Sequence, residues 1–321
     1  MAFEFSALSR SPALQDNALD VAVADKMPAK SSSKPIKIGV VLGAGAARGW
    51  SHVGVLRELD RMGLPIDIVC GCSSGALVAA SYAAGRLNAL ENLAERMTTM
   101  RMLRFFDVSW TRGGLIEGRW IVNFLRQNVG DVRIEDLPVR FGSVATEYGN
   151  GREVWLKNGS LIDATRASIA LPGLLTPISM NGRVLLDGAL VNPLPVALCR
   201  ALGADVIIGV RLDKHIAPSA ETLEPDEEQS GRWKWGGGER EQMPRYYEVI
   251  SDAIFTMTSM IQRVRLATNP VDLMITPDLS ELGVMDFHRA REFIDRGAAG
   301  TRRAEGEIKA LISELDQHLV V

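Results

Sequence analysis

Asp67-Ile68-Val69-Cys70-Gly71-Cys72-Ser73-Ser74-Gly75-Ala76-Leu77-Val78-Ala79-Ala80 holds an apolar run that stops on a Gly/Ser cluster and resumes as an Ala-rich segment. Ile68–Cys70 predicts a short buried strand, and the residues after Gly75 predict a helix. Between them, Gly71-x-Ser73-x-Gly75 is the G-x-S-x-G pattern in the strand–turn–helix setting of a nucleophile elbow. A serine at so tight a turn is held in a strained backbone conformation, so its flanks must be small. Gly71 and Gly75 let strand and helix approach, and the helix N-terminus offers N–H groups to a developing oxyanion. Ser73 is the candidate nucleophile.

Working outward, strands and helices alternate. Upstream, Ile36–Leu42 reads as a buried strand and Trp50–Met62 as a helix with Val53, Val55, Leu56 and Leu59 inward. Downstream, helices are expected over Ser73–Arg86, Leu87–Met100 and Gly118–Gln127. Val139–Thr146 and Arg152–Leu156 form a hairpin about Gly149-Asn150-Gly151. A helix over Ser160–Ile169, a strand over Arg183–Leu186, a helix over Pro195–Leu202 and a strand over Asp205–Val210 follow. Last come a helix over Tyr247–Ala267, a strand over Val271–Thr276 and one terminal helix from about Phe287 to His318. This alternation predicts an α/β fold of three layers, with helices flanking a largely parallel central sheet.

Gly43-Ala44-Gly45-Ala46-Ala47-Arg48-Gly49 joins the first strand to the first helix. It fails as a dinucleotide loop, because Arg48 occupies the third glycine position and no acidic residue ends the second strand. No Lys-Ser/Thr follows, so it is not a P-loop. Adjacent strands would instead bring it beside Ser73, with the N–H groups of Gly45 and Ala46 as an oxyanion hole. Arg48 would add positive charge there or brace the loop. A hydroxyl also needs a base. His215 and His288 satisfy the Ser…Asp…His order of an ordinary hydrolase, whereas His52 reads as a packing residue. Asp187 closes an apolar strand before Gly188-Ala189, where burial would raise its pKa. Asp-Gly is equally a common turn sequence.

Over 321 residues the net charge is -3, with no basic stripe, which argues against a nucleic-acid partner. Cys70, Cys72 and Cys199 lack metal or redox spacing and read as buried small hydrophobes. Residues 1–35 read as a flexible tail and 36–321 as a single catalytic domain. Within it, 213–245 is acidic, then glycine-rich, and reads as a disordered surface insertion. Residues 97–117 mix methionines and aromatics with Arg101, Arg104 and Arg112, a pattern suited to acyl chains or a bilayer surface and equally to core packing. A cytoplasmic location is expected, with peripheral contact at the inner membrane surface allowed; oligomeric state is not legible.

Four blocks in order resemble the patatin-like phospholipase family, in particular bacterial members similar to the neuropathy target esterase catalytic domain. They are Gly43–Val55, Gly71–Ala76, Arg166-Ala-Ser-Ile-Ala-Leu-Pro-Gly173 and Asp187-Gly-Ala-Leu-Val-Asn-Pro193, within a motif-bearing core of about 38–202. The resemblance implies a patatin-like fold and a Ser–Asp dyad of Ser73 and Asp187. It also implies an oxyanion hole from the loop of Gly43, Gly45, Ala46 and Arg48, an elbow of Gly71 and Gly75, and an Asp-Gly-Ala motif completed by Gly188 and Ala189. The implied substrates are phospholipids or lysophospholipids, with no metal or organic cofactor. Many relatives carry consecutive glycines where this chain has Ala44 and Ala46, so a positive φ at either would be strained. Two other readings are a His-triad α/β-hydrolase esterase and a non-catalytic lipid-binding regulatory module.

Overall fold

The computed structural model describes residues 35–97, 118–213 and 246–320. The hydrophobic runs become β1 (Ile38–Leu42), β2 (Ile68–Gly71), β3 (Arg140–Glu147), β4 (Glu153–Leu156), β5 (Ile178–Met180), β6 (Arg183–Asp187), β7 (Val206–Val210) and β8 (Leu273–Ile275). Strand order is β5-β6-β3-β2-β1-β7-β8, with β4 on the remaining edge of β3. β3, β2, β1, β7 and β8 are parallel, and β4, β5 and β6 join antiparallel.

β1 and β2 are buried along their whole length, as strands covered on both faces must be. Ile38, Val40 and Leu42 point into one core and Val41 into the other. The first core is closed by α1 (Ser51–Arg61), α2 (Ser74–Ala83), α3 (Leu87–Glu95), α4 (Arg119–Asn128), α5 (Leu161–Ser168) and α8 (Ala290–Arg303). The second is closed by α6 (Val196–Ala201) and by Leu266 of α7 (Tyr246–Thr268). These are the three layers expected.

Two element expectations change. β5 was not anticipated. It pairs with β6 through Asn181-Gly182, both at positive φ (51° and 75°), the backbone that a two-residue hairpin demands. The single terminal helix is two, α8 and α9 (Glu305–Val320), parted at Ala304. Arg302 and Arg303 end α8 while Glu305 and Glu307 open α9, so the charges match the dipoles of two helices rather than one. Of the patch at 97–117, the insertion at 213–245 and the tail at 1–35, all but Met97, Asp213 and Pro35 lie outside the described residues.

Candidate active site

Ser73 sits between β2 and α2 at φ 54° and ψ -126°. The elbow closes because a Cβ at Gly71 would stand 2.4 Å from Gly75 O, and one at Gly75 would stand 2.3 Å from Leu42 O. Only glycine fits either place. The Ser73 N–H donates to Ser168 Oγ at 3.1 Å, and the Cys72 N–H to Leu42 O at 3.1 Å, so the turn is pinned on two sides.

The sheet register delivers the second group. Ser143 of β3 pairs with Gly71 on one edge and Leu156 on the other, while Ala145 pairs with Asp187 and Val154. Since Leu156 and Val154 both belong to β4, β2 and β6 must share the opposite edge of β3. They run toward each other and end two residues apart along it. Ser73 leaves one tip and Asp187 is the other. The Ser73 hydroxyl donates to Asp187 Oδ2 at 2.7 Å.

Asp187 is fully buried. Its Oδ1 accepts from Ala189 N–H at 2.8 Å, its carbonyl accepts from Thr146 Oγ1 at 2.7 Å, and its N–H donates to Ala170 O at 2.9 Å. Gly188 allows this closeness, since a Cβ there would lie 2.3 Å from Val144 O. Burial pushes the carboxyl from 3.8 up to about 7, against the bonds from Ala189 and Ser73 that favour the charged form. Each carboxylate oxygen thus has its own partner, Oδ1 the turn at Ala189 and Oδ2 the Ser73 hydroxyl.

The glycine loop lies beside this pair. Gly43 N–H donates to Val210 O and Ala44 N–H to Pro193 O, while Ala47 and Arg48 N–H donate to Val284 O and Gly45 O. Among the described residues, the N–H groups of Gly45 and Ala46 have no partner. They are the free donors of the loop. Ala46 adopts φ 47°, the strained position that substitution of glycine would produce. The Arg48 guanidinium donates to Leu282 O at 3.1 and 3.3 Å and to Leu212 O at 3.3 Å, so its side chain braces the loop. His52, also buried, donates from Nε2 to Gly43 O at 2.8 Å, and burial holds its pKa down to about 4.

Among the described residues no histidine bonds Ser73. His288 is exposed in the turn Phe287–Arg289, and His215 lies outside the described residues. All three cysteines are buried and free; burial, with Asp187 and Glu153 nearby, raises the Cys72 thiol well above its ordinary value. No cluster of metal-ligating side chains occurs among the described residues, and no described helix is long and apolar enough to cross a membrane. Ser73, Ala189 and the Ala44–Ala46 loop line a cavity of about 820 Å³ walled by α7 and by residues 280–286. Sequence reasoning missed Thr146 and Ser168 as supports. Ser168 stands in the Arg166–Gly173 block, which was the available signal, whereas nothing local marks Thr146.

The strand–turn–helix serine and the buried Asp-Gly-Ala aspartate thus meet where β2 and β6 end. The chain belongs to the patatin-like phospholipase family, whose sequence profile matches residues 40–200. An uncharacterized NTE family protein of Mycobacterium tuberculosis is 39% identical over 197 residues, which are 61% of this chain and 54% of that protein. Lysophospholipase nte1 of Emericella nidulans is 30% identical over 284 residues, 82% of this chain and 18% of that protein. The chain thus spans about half the length of the mycobacterial relative and under a fifth of the fungal one. VipD from Legionella pneumophila aligns over 85% of this chain and 67% of its own, at 12% identity and a TM-score of 0.45.

Proposed function

We propose that the protein is a serine acyl hydrolase of phospholipid or lysophospholipid esters, with Ser73 as nucleophile and Asp187 as base. The observation that carries this reading is the 2.7 Å bond from the hydroxyl of Ser73, which lines the cavity, to a fully buried carboxylate behind it. Asp187 takes the hydroxyl proton as Ser73 Oγ attacks the ester carbonyl. The oxyanion is held by the N–H groups of Gly45 and Ala46, which the fold leaves free. Asp187 returns the proton to the departing alcohol, leaving an acyl-serine. Water, deprotonated by the same carboxylate, then releases the fatty acid and restores Ser73. A base titrating near 7 is matched to neutral pH. The cavity volume falls within the ordinary range of small-molecule sites. Membership of the family and likeness to NTE lysophospholipases support the lipid class, and the chemistry calls on no cofactor.

Ser73→Ala and Asp187→Asn should each abolish hydrolysis of a short p-nitrophenyl ester, and Ser73→Ala should abolish fluorophosphonate labelling. His288→Ala and His215→Ala should leave turnover intact, because neither serves the dyad. Near-normal turnover in a folded Ser73 or Asp187 variant would refute the assignment.

A further inference from the structure

α7 is inside out. The side chains it turns toward the protein include Thr258 and Gln262, 8% and 4% exposed. They are bonded to the carbonyls of Ile254 and Phe255 and to Asp213 Oδ1. Its outward side chains include Met257, Met260 and Val264, 55%, 60% and 68% exposed. At helical spacing these three fall within roughly 60° of arc and form one ridge, which Ala253 and Ala267 extend. A helix that merely packs on a core keeps its outer face polar and exposes no such ridge.

The ridge borders the cavity described above, since Met260 and Arg263 line it as well. From Ala253 to Thr268 the helix has no acidic residue. Arg265 is paired with Glu153 at 3.1 Å, and Arg263 is exposed with no ion-pair partner among the described residues. Across the mouth, Glu281 and Asp286 pair with Arg296 and Arg289, which also pair with Asp278 and Glu292. Of the two charges that α7 carries between Ala253 and Thr268, the unpaired one among the described residues is therefore the cation Arg263.

We propose that this ridge seats the protein on an anionic lipid surface. Met257, Met260 and Val264 enter the acyl region and Arg263 lies at the level of the phosphates, as for an interfacial helix. A second copy of the chain fits the ridge poorly, because a two-fold contact would bring Arg263 toward its own mate with no acid on the face to receive it. Seating here opens the Ser73 cavity toward the bilayer, so an ester passes in without crossing water. That last step rests on the acyl-hydrolase reading; the seating itself does not.

The test is flotation of the Ser73→Ala chain with vesicles of phosphatidylcholine mixed with phosphatidylglycerol, which reports binding whether or not the protein is a hydrolase. Adding Met257→Asp and Val264→Asp should lower the bound-to-free ratio by about a hundredfold, since two apolar insertions are lost and two repelled charges gained. The same pair in the chain with Ser73 intact should leave soluble-ester turnover within about twofold of its parent, because neither residue lines the cavity. Undiminished flotation of the double variant overturns the proposal. So does a loss of self-association on size exclusion with no vesicle binding in the parent, which would assign the ridge to a second copy. If the aspartates unfold the protein, Met257→Cys replaces them. The three native cysteines are buried, so an environment-sensitive dye goes to position 257. A blue shift on vesicles supports the seating, and an unshifted spectrum overturns it.

Discussion

Replacing Asp187 with Asn probes the surroundings of the carboxylate without reference to turnover. Burial lifts its pKa from 3.8 to about 7. Between those values the folded protein holds a proton that the unfolded chain has released. Stability therefore falls as pH rises through the window, by about 1.4 kcal/mol per pH unit, and the loss is complete above about pH 7. The Asn variant ionises in neither state. Its side-chain oxygen can accept from Ala189 N–H and its amide can donate to Ser73 Oγ, so the isostere leaves no buried polar atom unpaired. Relative to the parent it should gain stability from pH 5 to pH 8. The relevant span is about two units, from 5 to 7, which gives about 3 kcal/mol. Urea unfolding of both proteins at the two pH values measures this, and every other titrating group cancels in the difference. Parallel stability curves, or a variant less stable than the parent at pH 8, would show that Asp187 is not desolvated as described.

The same pKa sets the rate profile. On the proposed mechanism kcat/KM for a soluble ester should rise about tenfold per unit below pH 7 and level off above it, and a flat profile from pH 5 to pH 8 would remove Asp187 as base. Ala46 holds φ 47° beside the cavity, so Ala46→Gly should stabilise the fold by about 1 kcal/mol, measured by urea unfolding; no gain would mean the loop carries no strain. Gly75→Ala should do the opposite, because its new methyl would lie 2.3 Å from Leu42 O. We expect a loss of more than about 2 kcal/mol together with most of the activity, and near-normal behaviour would mean the elbow has slack.

The parts of the site built from consecutive residues were legible in the sequence. The elbow needs a strand, two small flanks and a helix within a dozen positions, and all of them appear between Ile68 and Ala80. The first glycine loop was equally local, down to the strain at Ala46. Asp187 was ambiguous for a physical reason. Its Oδ1 caps the turn at Ala189, as Asp-Gly sequences do, while Oδ2 meets a residue 114 positions away. Nothing within a window around Asp187 distinguishes those uses. Thr146 and Ser168 were illegible as supports because each acts through one hydrogen bond across the sheet or from a neighbouring helix. The polarity of α7 could have been read from Met257, Met260 and Val264 at helical spacing, but such a pattern ordinarily marks the buried face, and only the fold says which way it turns.

In a serine triad the third residue orients a histidine and keeps it in the right tautomer. The proposed Ser73–Asp187 pair needs that orientation from elsewhere, and the backbone supplies it. Asp187 is the last residue of β6, so its N–H and carbonyl are fixed by Ala170 and Thr146, and its carboxylate by Ala189. Rotation of the carboxyl about its side chain would sacrifice the Ala189 bond inside a buried site, where an unmet N–H costs about 1–3 kcal/mol. The 2.7 Å approach to Ser73 is thus set by where β6 ends relative to β2 along one edge of β3, and not by the flexibility of either side chain. A one-residue shift of β6 against β3 would turn the carboxylate to the opposite face of the sheet. The hairpin β5–β6, which includes the strand that the sequence did not announce, gives β6 a second partner holding it in that register.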